Sequence, residues 1–141
     1  MRSLLDINVL LALLDEDHMQ HELARDWLVA NQEEGWASCP LTENGFVRIY
    51  SQAAYPGAIS ARAAMDLLDA TRIKPFHEFW SADVSILDSV GRDRVHGPKQ
   101  LTDLYLLALA VRHGGRFVTF DERISLTPVP GTKKDSLVTL G

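Results

Sequence analysis

Cysteine is nearly missing from this chain. Cys39 stands alone among 141 residues, so no internal disulfide can form, and no Cys/His spacing matches a structural zinc site. His18 and His21 are too isolated to supply one. Such a sequence suits a reducing, cytoplasmic setting. Positive charge is also short: 14 Lys+Arg stand against 19 Asp+Glu, a formal charge of -5 and a pI near 5.4. Nothing in that balance draws the chain to nucleic acid or to an acidic membrane surface, so a polyanionic substrate would require an added cation. Long apolar runs are absent too. The opening "MRSLLDINVLLALLDED" holds about ten apolar positions, against the roughly 20 that a membrane span needs. It also has no small-residue cleavage site, so it reads as folded protein. Repeats, linkers and low-complexity segments are absent, and 46% of the residues are hydrophobic. A chain of this size can bury about two thirds of its unfolded surface, so one domain over residues 1–141 is expected.

What is present is alternation. Ser3-Leu4-Leu5 is a short apolar run that stops at Asp6, and "INVLLALLD" follows with leucines too dense for a surface helix, so a buried strand should run into a buried helix. "HELARDWLVANQ" places Leu23, Trp27, Leu28 and, more loosely, Ala24 on one side with Glu22, Arg25 and Asp26 opposite, which predicts a helix over roughly 20–32. "WAS" reads as a strand, "CPLTENGFVRIYSQA" as a helix begun near Pro40 or Thr42, and "SARAAMDLLDATR" as a helix capped by Ser60. After an extended "IKPFH", Asp83 to Val90 looks helical and "GRDRVHGPK" looks like a loop. Leu101 to His113 is a helix closed by Gly114 and Gly115, "RFVTF" is a strand, and "DSLVTL" reads as a last edge strand. Strands alternating with helices along the whole length predict an α/β fold, a mainly parallel sheet covered by helices.

In such a sheet the carboxyl ends of strands and the amino ends of the next helices share one edge, where ligands sit. Asp6 and Asp121 follow strands; Glu43 and Asp103 begin helices. Each also has an ordinary structural reading. An acid in a first helical turn meets the positive helix end, worth about 0.3 to 1 kcal/mol, and an acid after a strand suits a turn or cap. Only as a set do they point to chemistry. Four anionic groups in one cleft repel unless protonated or neutralised, and a hard divalent ion with oxygen ligands resolves this. Carboxylates and water suit Mg²⁺ or Mn²⁺ better than zinc. Glu122, next to Asp121, reads as a solvated charge. Arg92, Arg94 and Lys99, with His96, form a basic rim before Asp103 that could meet the phosphates of a polyanion, or a solvated loop. Arg112 and Arg116 lie at the far end of the last helix.

The pieces "LLDINVLLALLD", "CPLTENGFVRI", "QLTDLYLLALAVRHGG" and "RFVTFDERI", in this order, resemble the PIN-domain ribonucleases, and among them the VapC toxins of bacterial toxin-antitoxin pairs. The resemblance covers nearly the whole chain. It implies a PIN-like α/β/α sandwich with about five mainly parallel strands, and magnesium-dependent cleavage of RNA with consequent inhibition of translation and growth. By that resemblance Asp6, Glu43, Asp103 and Asp121 are the catalytic acids. Asp6, Asp103 and Asp121 would hold Mg²⁺ (or Mn²⁺), with Glu43 holding a water or a second ion. Asn8 and Thr119 match polar positions that could orient a carboxylate or a metal-bound water. Otherwise Asn8 caps the first helix and Thr119 is an ordinary strand residue. The resemblance also implies a cognate VapB-type antitoxin and a homodimer. Trp27, Trp36, Phe46, Ile49 and Tyr50 offer more apolar bulk than one small sheet face obviously needs, for core packing or a partner surface.

Two other readings use the same acidic edge. A phosphatase of the haloacid-dehalogenase type also ends its first strand on Asp, but its second Asp would fall at Asn8, and no suitably placed lysine is evident. The other is a metal- or RNA-binding module without catalysis.

Overall fold

A computed structural model describes all 141 residues. Five short strands form one sheet in the order β3-β2-β1-β4-β5, and every neighbouring pair is parallel. They are β1 (Ser3–Leu5), β2 (Trp36–Ser38), β3 (His77–Phe79), β4 (Arg116–Thr119) and β5 (Leu137–Thr139). The helices are α1 (Ile7–Leu14), α2 (His21–Ala30), α3 (Pro40–Tyr50), α4 (Ala61–Thr71), α5 (Ile86–Ser89) and α6 (Leu101–Arg112). No helix is long and apolar enough to cross a membrane.

Adjacent strand residues point to opposite faces, and this divides the core in two. Leu4, Ala37 and Phe117 pack with Leu104, Leu107 and Ala108 of α6. Leu5, Trp36 and Val118 pack with Val9 and Leu10 of α1, Phe46 and Tyr50 of α3, and Leu68 of α4. Both faces of β1 and β4 are therefore covered, which is why these strands read as unbroken apolar runs. The expected α/β/α sandwich is the architecture observed. Trp36, Phe46 and Tyr50 are buried, and Trp27 and Ile49 are partly buried against the same core.

Two glycines permit this packing. A Cβ on Gly45 would collide with the Ile7 side chain, so the glycine lets α3 lie against α1. Gly114, at φ +69°, takes the left-handed turn that ends α6 and sends the chain into β4. Several boundaries move from those expected. The helix expected over Asp83 to Val90 shrinks to α5, because the Ser85 hydroxyl accepts from the Leu87 N–H and starts the helix there. β3 begins only at His77, after a turn over residues 74–76 in which Pro75 has no N–H to give a neighbouring strand. The loop after α5 contains two single 3₁₀ turns, Arg92–Arg94 and Pro98–Gln100.

Candidate functional site

The sheet order reverses direction at β1: β2 and β3 lie on one side, β4 and β5 on the other. The crevice beyond the carboxyl ends of β1 and β4 is thus the switch point where open α/β sheets take ligands. Asp6 ends β1 and caps α1, its Oδ1 accepting from the Ile7 N–H at 2.7 Å. Its backbone N–H donates to the Val118 carbonyl at 2.9 Å, which fixes the end of β1 to β4.

Thr119, last in β4, joins the two sides. Its single hydroxyl proton goes to Asp6 Oδ2 at 2.7 Å. Its oxygen accepts from the Asp121 backbone N–H at 3.0 Å and from the Asn8 Nδ2 at 3.4 Å. One donor and two acceptor places are all that a hydroxyl has, so Thr119 is fully used. Asn8 is not the helix cap; from inside α1 its Oδ1 accepts from the Phe120 N–H at 3.3 Å. Thr119 and Asn8 together hold the Asp6 carboxylate and the turn that bears Asp121.

Asp103 enters from the first turn of α6. Its carboxyl is pushed up to about 6, chiefly by burial, then by the charges of Asp6 and Asp121, while Arg123 works the other way. Asp6 is raised by burial, against its hydrogen bonds from Thr119 and Ile7, with a further push from Asp121. Asp121 behaves oppositely. Arg123 grips it through Nε to Oδ1 at 3.1 Å and Nη2 to Oδ2 at 3.3 Å, and this pair holds its carboxyl below the usual range. The three aspartates thus feel one another's charge. With Asp121 engaged by Arg123, no three His, Cys, Asp or Glu side chains are gathered into a closed ligand set. The chemistry of the donors nevertheless fits a hard divalent cation: all are carboxylate oxygens, two are raised chiefly by burial and then by neighbouring carboxylates, and the third already pairs with a cation.

Glu43 is kept differently. It lies in the first turn of α3 beside β2, where the Ser38 hydroxyl donates to Oε2 at 2.6 Å and Arg72 Nη1 approaches to 3.3 Å. Ser38 is fully buried, and His77 Nε2 lies 2.7 Å from its oxygen. Since the one Ser38 proton goes to a carboxylate, which can only accept, His77 must donate through Nε2–H. Burial, then the nearby Arg72 and Arg2, push His77 down to about 4, consistent with a neutral imidazole. Glu43 is absent from the groups that shift Asp6 or Asp103.

A cleft of about 760 Å³ opens beside Asp103 and Asp121. Arg94, His96, Lys99 and Arg123 line it. Arg92, in the same 3₁₀ turn as Arg94, is exposed but does not line it. Arg116 lies at the opposite end of β4, bonded to Ser3 Oγ and Asn31 Oδ1 and set over the Trp27 ring. Glu122 is exposed, as expected of a solvated charge.

Sequence reasoning missed Arg123, Arg72, Ser38 and His77. Arg123 is two residues from Asp121, yet an arginine in an exposed turn carries no special signal. Ser38 and His77 meet only because β2 and β3 pair in the register Trp36↔His77 and Ser38↔Phe79.

The family model for the PIN domain matches residues 3–129. Ribonuclease VapC44 of Mycobacterium tuberculosis is 61% identical over 142 residues, covering 99% of this chain and 100% of the relative. Ribonuclease VapC38 of the same organism is 44% identical over 120 residues, 84% of each chain. The crystal structure of VapBC2 from Rickettsia felis bound to a DNA fragment from its promoter contains a chain of like fold, with a TM-score of 0.65 at 11% identity over the full length of both chains.

Proposed function

This chain belongs to the PIN-domain family, and on that footing we propose that it is a VapC-type toxin of a toxin-antitoxin pair, an endoribonuclease that depends on a divalent metal, Mg²⁺ in the resting cell with Mn²⁺ as substitute. The observation that supports the reading is that the end of β1, the turn after β4 and the first turn of α6 bring Asp6, Asp121 and Asp103 to the switch-point side of the sheet. There burial first and neighbouring carboxylates second raise Asp103, and burial with a smaller push from Asp121 raises Asp6.

Asp6, Asp103 and Asp121 are assigned the metal, and Glu43 a supporting catalytic part from the β2 side. When bound, the ion supplies Lewis-acid polarisation of a phosphoryl oxygen and a water of lowered pKa. The chain's own contribution is placement. Thr119 and Asn8 hold the Asp6 carboxylate and the Asp121 turn rigid through their hydrogen bonds. Burial of Asp6 under α1 and β4 keeps bulk water from screening the charges. Arg94 and Lys99 line the adjoining cleft and are assigned contacts to RNA phosphates, with Arg92 adding charge from outside it. This answers the acidic overall balance: the cations are local, and the acids are answered by the metal.

The partners that follow are an RNA substrate and a cognate VapB-type antitoxin, with a homodimer as the toxin's own assembly. Apolar side chains left exposed before and along α2, Met19, Leu23 and Val29, leave surface for a protein partner. A single PIN unit over residues 1–141 in the cytoplasm is the setting proposed, in keeping with the lone, buried Cys39.

The test incubates the protein with labelled RNA and, separately, with a small phosphomonoester, each with and without Mg²⁺. Internal cleavage of RNA only with metal is the expected outcome. Phosphate release from the monoester would indicate a phosphatase, and inertness toward both a binding module.

A further inference from the structure

Glu43 also borders a second groove, about 460 Å³ in volume, between α3, α4 and the outermost strand β3. Phe79 closes it. This residue ends β3 at the edge of the sheet and leaves 44% of its surface open. Burial would stabilise a phenylalanine by about 1.5–3 kcal/mol, so an open ring beside a carboxylate site calls for a reason. The Arg72 guanidinium is centred 5.4 Å from the Phe79 ring while it pairs with Glu43. The guanidinium, held by Glu43, lies over the ring and backs it, while much of the ring stays open to solvent. Asn44, exposed on the same groove, adds an amide with both donor and acceptor atoms.

We propose that this groove is a subsite for one unpaired base of single-stranded RNA, which stacks on the Phe79–Arg72 platform with its edge toward Asn44. The inference rests on the ribonuclease reading and adds to it a place where the RNA is held by a base. Stacking on an aromatic ring is how single strands are gripped without pairing, and arginine adds to it. The mixed lining favours a base over an apolar protein segment, because Asn44 and Asp69 would each need a polar partner under a dry interface. Glu43, in the first turn of α3 after β2, is part of its lining and ties the groove to the same edge of the sheet. From β4 to β3 is three strand spacings, about 14 Å at roughly 4.8 Å each, so an extended strand entering by the Arg94 and Lys99 cleft reaches Phe79 within a few nucleotides.

The test uses the full chain in EDTA, so that RNA is bound and not cut. Its probes are short single-stranded RNAs carrying 2-aminopurine at successive positions, and the same strands made abasic there. One position should change its fluorescence on binding. Phe79→Ala should remove that change and weaken affinity about 10-fold, near the lower end of the cost of losing one stacked base. Phe79→Trp should restore both, and the strand abasic at that position should bind wild type and Phe79→Ala alike. Unchanged affinity in Phe79→Ala, equal weakening on the abasic strand, or an effect only on oligomeric state by light scattering would each overturn the subsite. Cleavage with Mg²⁺ separates the two readings. A wild type that cuts RNA while Phe79→Ala changes nothing sinks the subsite alone, and one that quenches the base without ever cutting sinks the nuclease and leaves the subsite. No RNA binding in EDTA sinks the subsite, and cleavage with Mg²⁺ then decides the nuclease by itself.

Discussion

On the β1–β4 side of the sheet edge, Asp6 and Asp103 face other carboxylates with little to neutralise them; on the β2–β3 side, Glu43 faces a hydroxyl and a guanidinium of its own chain. The same topology delivers all four acids to one edge, yet only on the first side are buried carboxylates raised, by burial first and by their neighbours second. Strain of that kind lowers stability in the absence of a cation and is returned when one binds. On the other side Glu43 already has a hydroxyl donor and a guanidinium. The comparison therefore supports the proposal that a cation would be held by the aspartates, with Glu43 placed by its own chain.

The difference is broken most severely at Asp103. Asp103→Asn removes a charge from the strained side without changing its shape, so RNA cleavage should fall by about 100-fold or more. Stability should move the other way. Folding raises the Asp103 carboxyl from 3.8 to about 6, so below the lower value the folded and unfolded chains are both protonated there and the cost is absent. As pH rises through that window the unfolded chain releases its proton first, and stability is lost until the folded group also ionises. The metal-free variant should thus be more stable than wild type at pH 7, by on the order of 1–2 kcal/mol with solvent screening allowed for. It should also lose the share of the decline between about pH 4 and 6 that Asp103 contributes, leaving the part due to Asp6. Urea melts in EDTA across that range, beside initial cleavage rates with Mg²⁺, check both halves. A variant that cuts at wild-type rate shows the aspartates are not the metal site.

On the satisfied side the corresponding change is Ser38→Ala. It leaves Glu43 without its hydroxyl donor and the buried His77 Nε2–H without an acceptor. An orphaned buried donor costs about 1–3 kcal/mol. Here the variant should be less stable than wild type, the reverse of Asp103→Asn, and the imidazole should show the lost hydrogen bond in its Nε2 proton resonance. Equal stability of Ser38→Ala and wild type would mean that Glu43 is not held by this chain of bonds and that the contrast between the two sides is false.

Sequence reasoning named all four acids but missed what holds Glu43, for a physical reason. Asp6 and Asp121 sit directly after strands, and Asp103 in the first turn of a long apolar helix, so a parallel sheet is enough to bring them to one edge. The hydrophobic periods of β1, α6 and β4 carry that sheet in plain view. The partners of Glu43 depend on finer facts. Arg72 is the residue at which α4 ends, and no pattern says that this end faces α3. His77 reaches Ser38 through the register of two strands of three residues each, too short to show alternation. The boundary of β3 was itself displaced from "IKPFH" to His77–Phe79. With it, the outward placing of Phe79 was out of reach.

The smallest expected effect tests whether the cation-lined cleft belongs to the strained side. Arg94 and Arg92 share one 3₁₀ turn and one charge, but only Arg94 lines the cleft beside Asp103. If RNA passes through that cleft, each phosphate contact on a single strand contributes about 0.7 to the slope of log affinity against log salt. Arg94→Gln should reduce the slope by about that amount and weaken binding several-fold, while Arg92→Gln should leave the slope nearly unchanged. Affinity titrations of a short RNA in EDTA at several salt concentrations read the difference directly. Equal losses in the two variants would mean that the turn acts only as diffuse charge. The phosphates would then cross the sheet edge by another path, and the strained side would be left without the cations assigned to it.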